Sequence, residues 1–156
     1  MTPQINLLKR AGASFSRKLL AVALTATLIT TSAFASGEEE DKARAIKNLK
    51  KEFTTAKDIQ WKLTDNYMKA SFNWNNQQLE VFYNYEGEVI AKSRKVTPSA
   101  LPIDAQQTIE KRYAGYKTDE CIEMTTDEGV NFYVSLVKQN KKTILKINPY
   151  GDISVY

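Results

Sequence analysis

The stretch Leu79-Glu80-Val81-Phe82-Tyr83-Asn84-Tyr85-Glu86-Gly87-Glu88-Val89 is repeated in outline as Thr143-Ile144-Leu145-Lys146-Ile147-Asn148-Pro149-Tyr150-Gly151-Asp152-Ile153. At a constant offset of 64, Leu79, Val81, Tyr83, Gly87 and Val89 fall on Thr143, Leu145, Ile147, Gly151 and Ile153. Each copy alternates apolar and polar residues, breaks at a glycine and resumes, which is the pattern of strand, turn and strand. A tandem duplication restricts the fold to two similar units, each sheet-rich, and the rest of the chain can be set around them.

Residues 1–35 have the form of a secretory leader. Lys9, Arg10, Arg17 and Lys18 are basic, Leu19 to Thr30 is an apolar run, and Ala33-Phe34-Ala35 is an A-x-A cleavage site. A membrane anchor is the competing reading, but the run falls short of the roughly 20 apolar residues of a span and four threonines dilute it. The leader holds four basic residues and no acidic one, so residues 36–156 carry 18 basic against 18 acidic side chains. The pI of about 9.0 therefore belongs to the leader and gives no reason to expect nucleic acid as a partner. Export predicts a periplasmic or secreted protein with no membrane span after cleavage. Cys121 is the single cysteine, which excludes an internal disulfide and marks it as a small buried hydrophobe.

After an acidic lead-in at Ser36–Asp41, expected to be mobile, Ile46, Leu49 and Phe53 recur on one face of a helix. Ile59, Trp61 and Leu63 alternate in a first strand, and turns at Asp65-Asn66 and Asn75-Asn76 define the next two. A two-residue loop at Asn75-Asn76 sets Phe72 opposite Leu79, Ala70 opposite Val81 and Met68 opposite Tyr83, all apolar pairs. With Asp65-Asn66 as the loop, Trp61 faces Ala70 and Ile59 faces Phe72, which makes Trp61 core rather than a ligand platform. Past Gly87, Val89, Ala91 and Ser93 are expected to continue the inner face. Thr97 to Pro102 breaks the sheet, since neither Pro98 nor Pro102 can donate to a ladder. Asp104 and Gln107 have the spacing of a capping box, and Ile109 and Tyr113 mark the buried side of a second helix. The second unit then repeats the strands, with a longer turn at Thr126–Gly129 and a two-residue turn at Gln139-Asn140. Four additional residues are expected near that longer turn, because the offset upstream of it is nearer 60. The fold class is α+β: a tandem repeat of a helix plus a four-strand antiparallel meander, helices on one face of a continuous antiparallel sheet. The units run over about 42–97 and 98–156 and form a single domain from 36 to 156.

This arrangement, with its leader, resembles the beta-lactamase-inhibitor-like, PepSY-like exported proteins typical of Bacteroidetes. Phe53 and Trp61, Met68-x-Ala70-x-Phe72 and Leu79-x-Val81-x-Tyr83-x-x-x-Gly87 carry the resemblance. They are echoed by Tyr113, Phe132-x-Val134-x-Leu136 and Leu145-x-Ile147-x-x-x-Gly151. It implies a single antiparallel sheet with helices on one face and, from the namesake, a concave face and hairpin loops that hold another protein. The namesake's disulfides have no counterpart here, and no catalytic residue is implied.

The chain has no histidine, which removes imidazole triads and the commonest zinc ligand. The glycines stand singly at turns, so no phosphate-cradling loop exists. The sequence predicts no catalytic residue, no metal site and no cofactor. What remains is the outer sheet face, where alternation places Tyr67, Lys69, Phe82, Tyr133 and Lys146, with Lys69 opposite Phe82 and Tyr133 opposite Lys146. This face is either plain solvated sheet or a binding surface for a protein or peptide of the cell envelope, since aromatics ringed by polar groups are a common interface composition. The function expected is an exported non-catalytic binding module, with a protein or peptidase inhibitor as its sharper form. The alternative is an envelope-associated protein that self-pairs through strand edges.

Overall fold

A computed structural model describes residues 36–156, with side chains from residue 39 onward. The leader expected over residues 1–35 lies outside the described residues. The elements are α1 (Ser36–Glu52), β1 (Lys57–Thr64), β2 (Tyr67–Trp74), β3 (Gln77–Tyr83), β4 (Val89–Lys95), a 3-10 turn (Pro98–Ala100), α2 (Ile103–Arg112), β5 (Lys117–Thr126), β6 (Gly129–Lys138), β7 (Lys141–Ile147) and β8 (Ile153–Val155). The strands form one eight-stranded sheet in chain order, and each adjacent pair is antiparallel. The α+β class read from the pattern is what the chain adopts.

The turns set the register as the sequence predicts. Asn75-Asn76 and Gln139-Asn140 hold positive φ at both positions, 49° and 62° in the first and 48° and 63° in the second. That is the type I′ geometry whose twist matches a hairpin. Phe72, Ala70 and Met68 accordingly face Leu79, Val81 and Tyr83, and Leu136, Val134 and Phe132 face Thr143, Leu145 and Ile147. Trp61 faces Ala70, while Ile59 lies in a bulge between the Lys57 and Gln60 pairs.

Two apolar clusters result. Ala45 and Leu49 of α1 join Phe53, Met68, Ala70, Phe72, Val81 and Tyr83. Ala105 of α2 joins Leu101, Cys121, Phe132, Val134, Leu136, Leu145 and Ile147. The same five-residue turn locks both ends. Asn84 N–H donates to Glu88 O at 2.9 Å, Gly87 N–H to Asn84 O at 3.1 Å, and Glu88 N–H to Asn84 Oδ1 at 2.8 Å. At the offset of 64, Asn148 N–H donates to Asp152 O at 3.1 Å, Gly151 N–H to Asn148 O at 3.0 Å, and Asp152 N–H to Asn148 Oδ1 at 2.9 Å. Each turn brings its glycine against a helix: a Cβ on Gly87 would stand 2.8 Å from Arg44 Cβ, and one on Gly151 3.1 Å from Asp104 Cβ.

Five details differ from the sequence reading. The acidic lead-in is helical, because carboxylates are favoured at a helix N-terminus and Asp41 pairs with Arg44 one turn on. The buried stripe of α1 runs Ala45, Leu49 and on to Phe53 just past its end, with Ile46 half-buried beside it. No capping box forms: α2 starts at Ile103 behind Pro102, no side chain caps it, and Asp104 sits inside the first turn. Thr126 pairs directly with Gly129, so the loop is only Asp127-Glu128. The four additional residues lengthen β5 and β6 to 10 each against 8 each in β1 and β2. Finally, Tyr83 pairs with Val89 and Phe82 with Ala91, a bulge that leaves one residue over on β4. A one-residue shift exchanges the faces of a strand, so Ala91 and Ser93 point to the outer face and Lys92 and Arg94 toward the clusters.

Candidate functional site

Tyr67, Lys69, Phe82, Tyr133 and Lys146 occupy the register positions opposite to those of the two clusters, and the pairs Lys69–Phe82 and Tyr133–Lys146 form as the sequence predicts. They make two groups rather than one. On β2 and β3 the Tyr67 and Phe82 rings meet edge-on at 5.5 Å, with Lys69 Nζ 5.9 Å from the Phe82 centroid. On β6, Tyr133 meets Tyr156 at 5.4 Å in a T-shaped contact. The bridge between the groups is Ala91 and Ser93 of β4 with Ile122 and Met124 of β5. The β4 bulge was the reason sequence reasoning missed the first two, and the registers Ser93–Met124 and Lys95–Ile122 place the others.

The exposure expected of this face is corrected. Tyr67, Phe82 and Tyr133 are at most 2 % exposed and Lys69 6 %; only Lys146 is half-buried. Ile122, Met124, Ala91, Ser93 and Ser135 are buried with them. Simple alternation assigns the side of the sheet but says nothing of how much of a residue stays accessible there. Among the described residues, the helix side chains Ala45, Leu49 and Ala105 belong to the two clusters.

Several charged and hydroxyl groups on this face pair with one another. Lys69 Nζ donates to Glu80 at 2.6 Å, and Ser71 and Ser93 donate to the same carboxylate at 3.3 Å each. Lys95 pairs with Glu120 at 2.8 Å. Asp119 accepts from Lys142 at 3.1 Å and Ser135 at 3.3 Å, and the Lys142 hydrogen bond holds its carboxyl below the usual range. Burial pushes the Tyr67 phenol up to about 12, partly offset by the nearby Thr64 side chain, and its hydroxyl makes no hydrogen bond. Tyr133 is likewise pushed up to about 12 by burial, with Tyr156 and Glu128 adding to the effect. Neutral phenols and ion-paired lysines favour recognition by shape and hydrogen bonding. Among the described residues no group of three His, Cys, Asp or Glu side chains could hold a metal ion.

The fold, a single antiparallel meander with two helix-bearing apolar clusters, is shared with solved proteins of Bacteroides. A BLIP-like protein from Bacteroides fragilis is 18 % identical over 72 % of this chain and 82 % of its own, with a TM-score of 0.62. A DUF2874 family protein from Bacteroides uniformis is 19 % identical over 71 % and 84 %, with a TM-score of 0.66. A protein from Bacteroides eggerthii predicted to be periplasmic is 17 % identical over 78 % and 86 %, with a TM-score of 0.63. No protein-family model matches the sequence, and no curated protein matches it either. The resemblance to the beta-lactamase-inhibitor-like proteins of Bacteroidetes therefore holds at the level of the fold. No described helix is long and apolar enough to cross a membrane.

Proposed function

We propose that the chain is an exported, non-catalytic binding module: residues 1–35 are a cleaved leader, residues 36–156 are two tandem copies with both helices on one side, and the other side holds a protein or peptide of the envelope. The observation that carries this reading is the aromatic and aliphatic patch of Tyr67, Phe82, Ile122, Met124 and Tyr133, running from β2 to β6 on the side away from both clusters. The core that the helices join has no need of large apolar residues on this second side of the sheet, and aromatic residues flanked by polar groups are a usual interface composition. Lys146 and Tyr156, both part-exposed, form the rim. An inhibitory role is the sharper version, supported by the fold shared with a BLIP-like protein.

The test uses the chain from Ser36 as bait in an envelope extract of the source cell, beside the variant Lys146→Glu/Tyr156→Ala. Both substitutions lie at the rim, so the fold is retained, as an unchanged denaturation midpoint would verify. Loss of the captured partner supports the site; unchanged capture places the interface elsewhere. Light scattering across concentration separates this reading from self-association. Mass spectrometry of the native protein should find an N-terminus close to Ser36.

A further inference from the structure

Phe72, Leu79, Arg94, Glu123, Phe132 and Ile147 are successive register partners across β2 to β7, so one row runs through both clusters and is apolar except at its middle. The next row has Val81, Lys92 and Thr125 at the same place. The bulge in β4 is what turns these charged residues toward the cluster side. There they border a cleft of about 210 Å³, with Phe53, Leu79 and Val81 among its walls. Small-molecule sites usually span about 300–1,000 Å³, so this one suits a single side chain.

The charges around it are not equally engaged. Arg94 donates Nε to Glu123 Oε1 at 2.9 Å and Nη2 to Oε2 at 2.8 Å, which occupies both oxygens of a carboxylate only 20 % exposed. Arg94 itself stays 43 % exposed, with three of a guanidinium's five N–H groups left over. Lys92 pairs with Glu52 and lies 5.6 Å from the Phe53 centroid, and an ammonium has two further N–H donors. Glu52, Glu80 and Glu123 line the cleft as well, each engaged by a cation, Lys92, Lys69 and Arg94 in turn, so the groups left to meet a ligand are the spare donors of Lys92 and Arg94 beside an apolar surface. We propose that this cleft binds the C-terminal carboxylate of a peptide ending in an apolar or aromatic residue, the side chain against Phe53, Leu79 and Val81 and the carboxylate on Arg94 and Lys92. The site lies on the opposite side of the sheet from the patch in the previous section and does not depend on it.

N-acetylphenylalanine and its amide, N-acetylphenylalaninamide, are the probes, titrated into the isotope-labelled full chain and followed by backbone amide shifts. The acid should give saturable shifts at Leu79, Arg94, Glu123 and Thr125, with the amide weaker by about tenfold, the loss of one charge-assisted contact. Arg94→Gln should weaken the acid by a similar factor, and Lys146→Glu should leave it unchanged. Thr125→Trp, which fills the cleft, provides a second variant should Arg94→Gln disturb the fold, and it should abolish the shifts. Equal affinity for acid and amide, no saturable shift with the acid, or unchanged binding in these cleft variants would overturn the assignment.

Discussion

Arg94 and Glu123 face each other across the β4–β5 pairing and share two parallel hydrogen bonds, in a row whose other members are apolar. The hydrogen bond from Arg94 also raises the guanidinium's already high pKa, with a smaller Coulombic contribution from Glu123. The pair is the cross-strand link between the two halves of the sheet on the cluster side. Arg94 is 43 % exposed, so solvent screens the interaction and a double-mutant cycle with alanine should return about 0.5–1 kcal/mol of coupling. Most of that should vanish in about 1 M salt. A coupling near zero at low salt would make the pair ornamental to stability.

The glycines rank themselves. Gly87 holds φ of 82° and its missing Cβ would stand 2.8 Å from Arg44 Cβ and 3.1 Å from Ala45 N, both close to the helix backbone. Gly151, at 94°, would meet Asp104 Cβ at 3.1 Å, whereas Gly129, at 114°, would meet nothing within 4 Å. Alanine at Gly129 should therefore lose only the backbone term, about 1–2 kcal/mol, with Gly151→Ala above it and Gly87→Ala the most damaging. Urea midpoints of the three variants check the order, and a Gly129 variant as damaged as Gly87 would refute the steric account.

These turns also show what was legible from sequence. The matched apolar pairs across Asn75-Asn76 and Gln139-Asn140 fixed two hairpins to the residue, because turn length and alternation act locally. The β4 faces were not legible: Tyr83, Val89 and Ala91 suit either side, and only the bulge decides. The false capping box at Asp104 and Gln107 has a similar origin, since the helix is capped at Pro102, two residues earlier. The candidate site was legible as a set of face positions. Its burial was not, because alternation along a strand names the side a residue takes and not how much of it stays accessible.

Cys121 should be chemically silent. It is 4 % exposed in the α2 cluster, and burial, helped by Glu120 and Glu123, pushes its thiol up to about 11. At pH 8 a free thiol is partly thiolate, so iodoacetamide should modify the unfolded chain readily and the folded one only through opening. Labelling of the native protein at the rate of a model thiol would contradict this burial.

Tyr83 is fully buried in the α1 cluster, and its hydroxyl makes no hydrogen bond. A buried polar group without a partner is unfavourable by about 1–3 kcal/mol, so Tyr83→Phe should leave stability at pH 7 unchanged or raise it by about 1 kcal/mol. Burial first, and Glu52 second, raise the phenol's pKa above its ordinary value. Above about pH 10 the unfolded chain releases this proton while the native chain keeps it. The native state then binds more protons, and stability falls with rising pH. Tyr83→Phe should flatten that alkaline fall relative to the parent chain. Denaturation midpoints measured between about pH 8 and 11.5 test both parts, and a Phe variant less stable at pH 7 with an unaltered alkaline slope would show that the hydroxyl has a partner in solution.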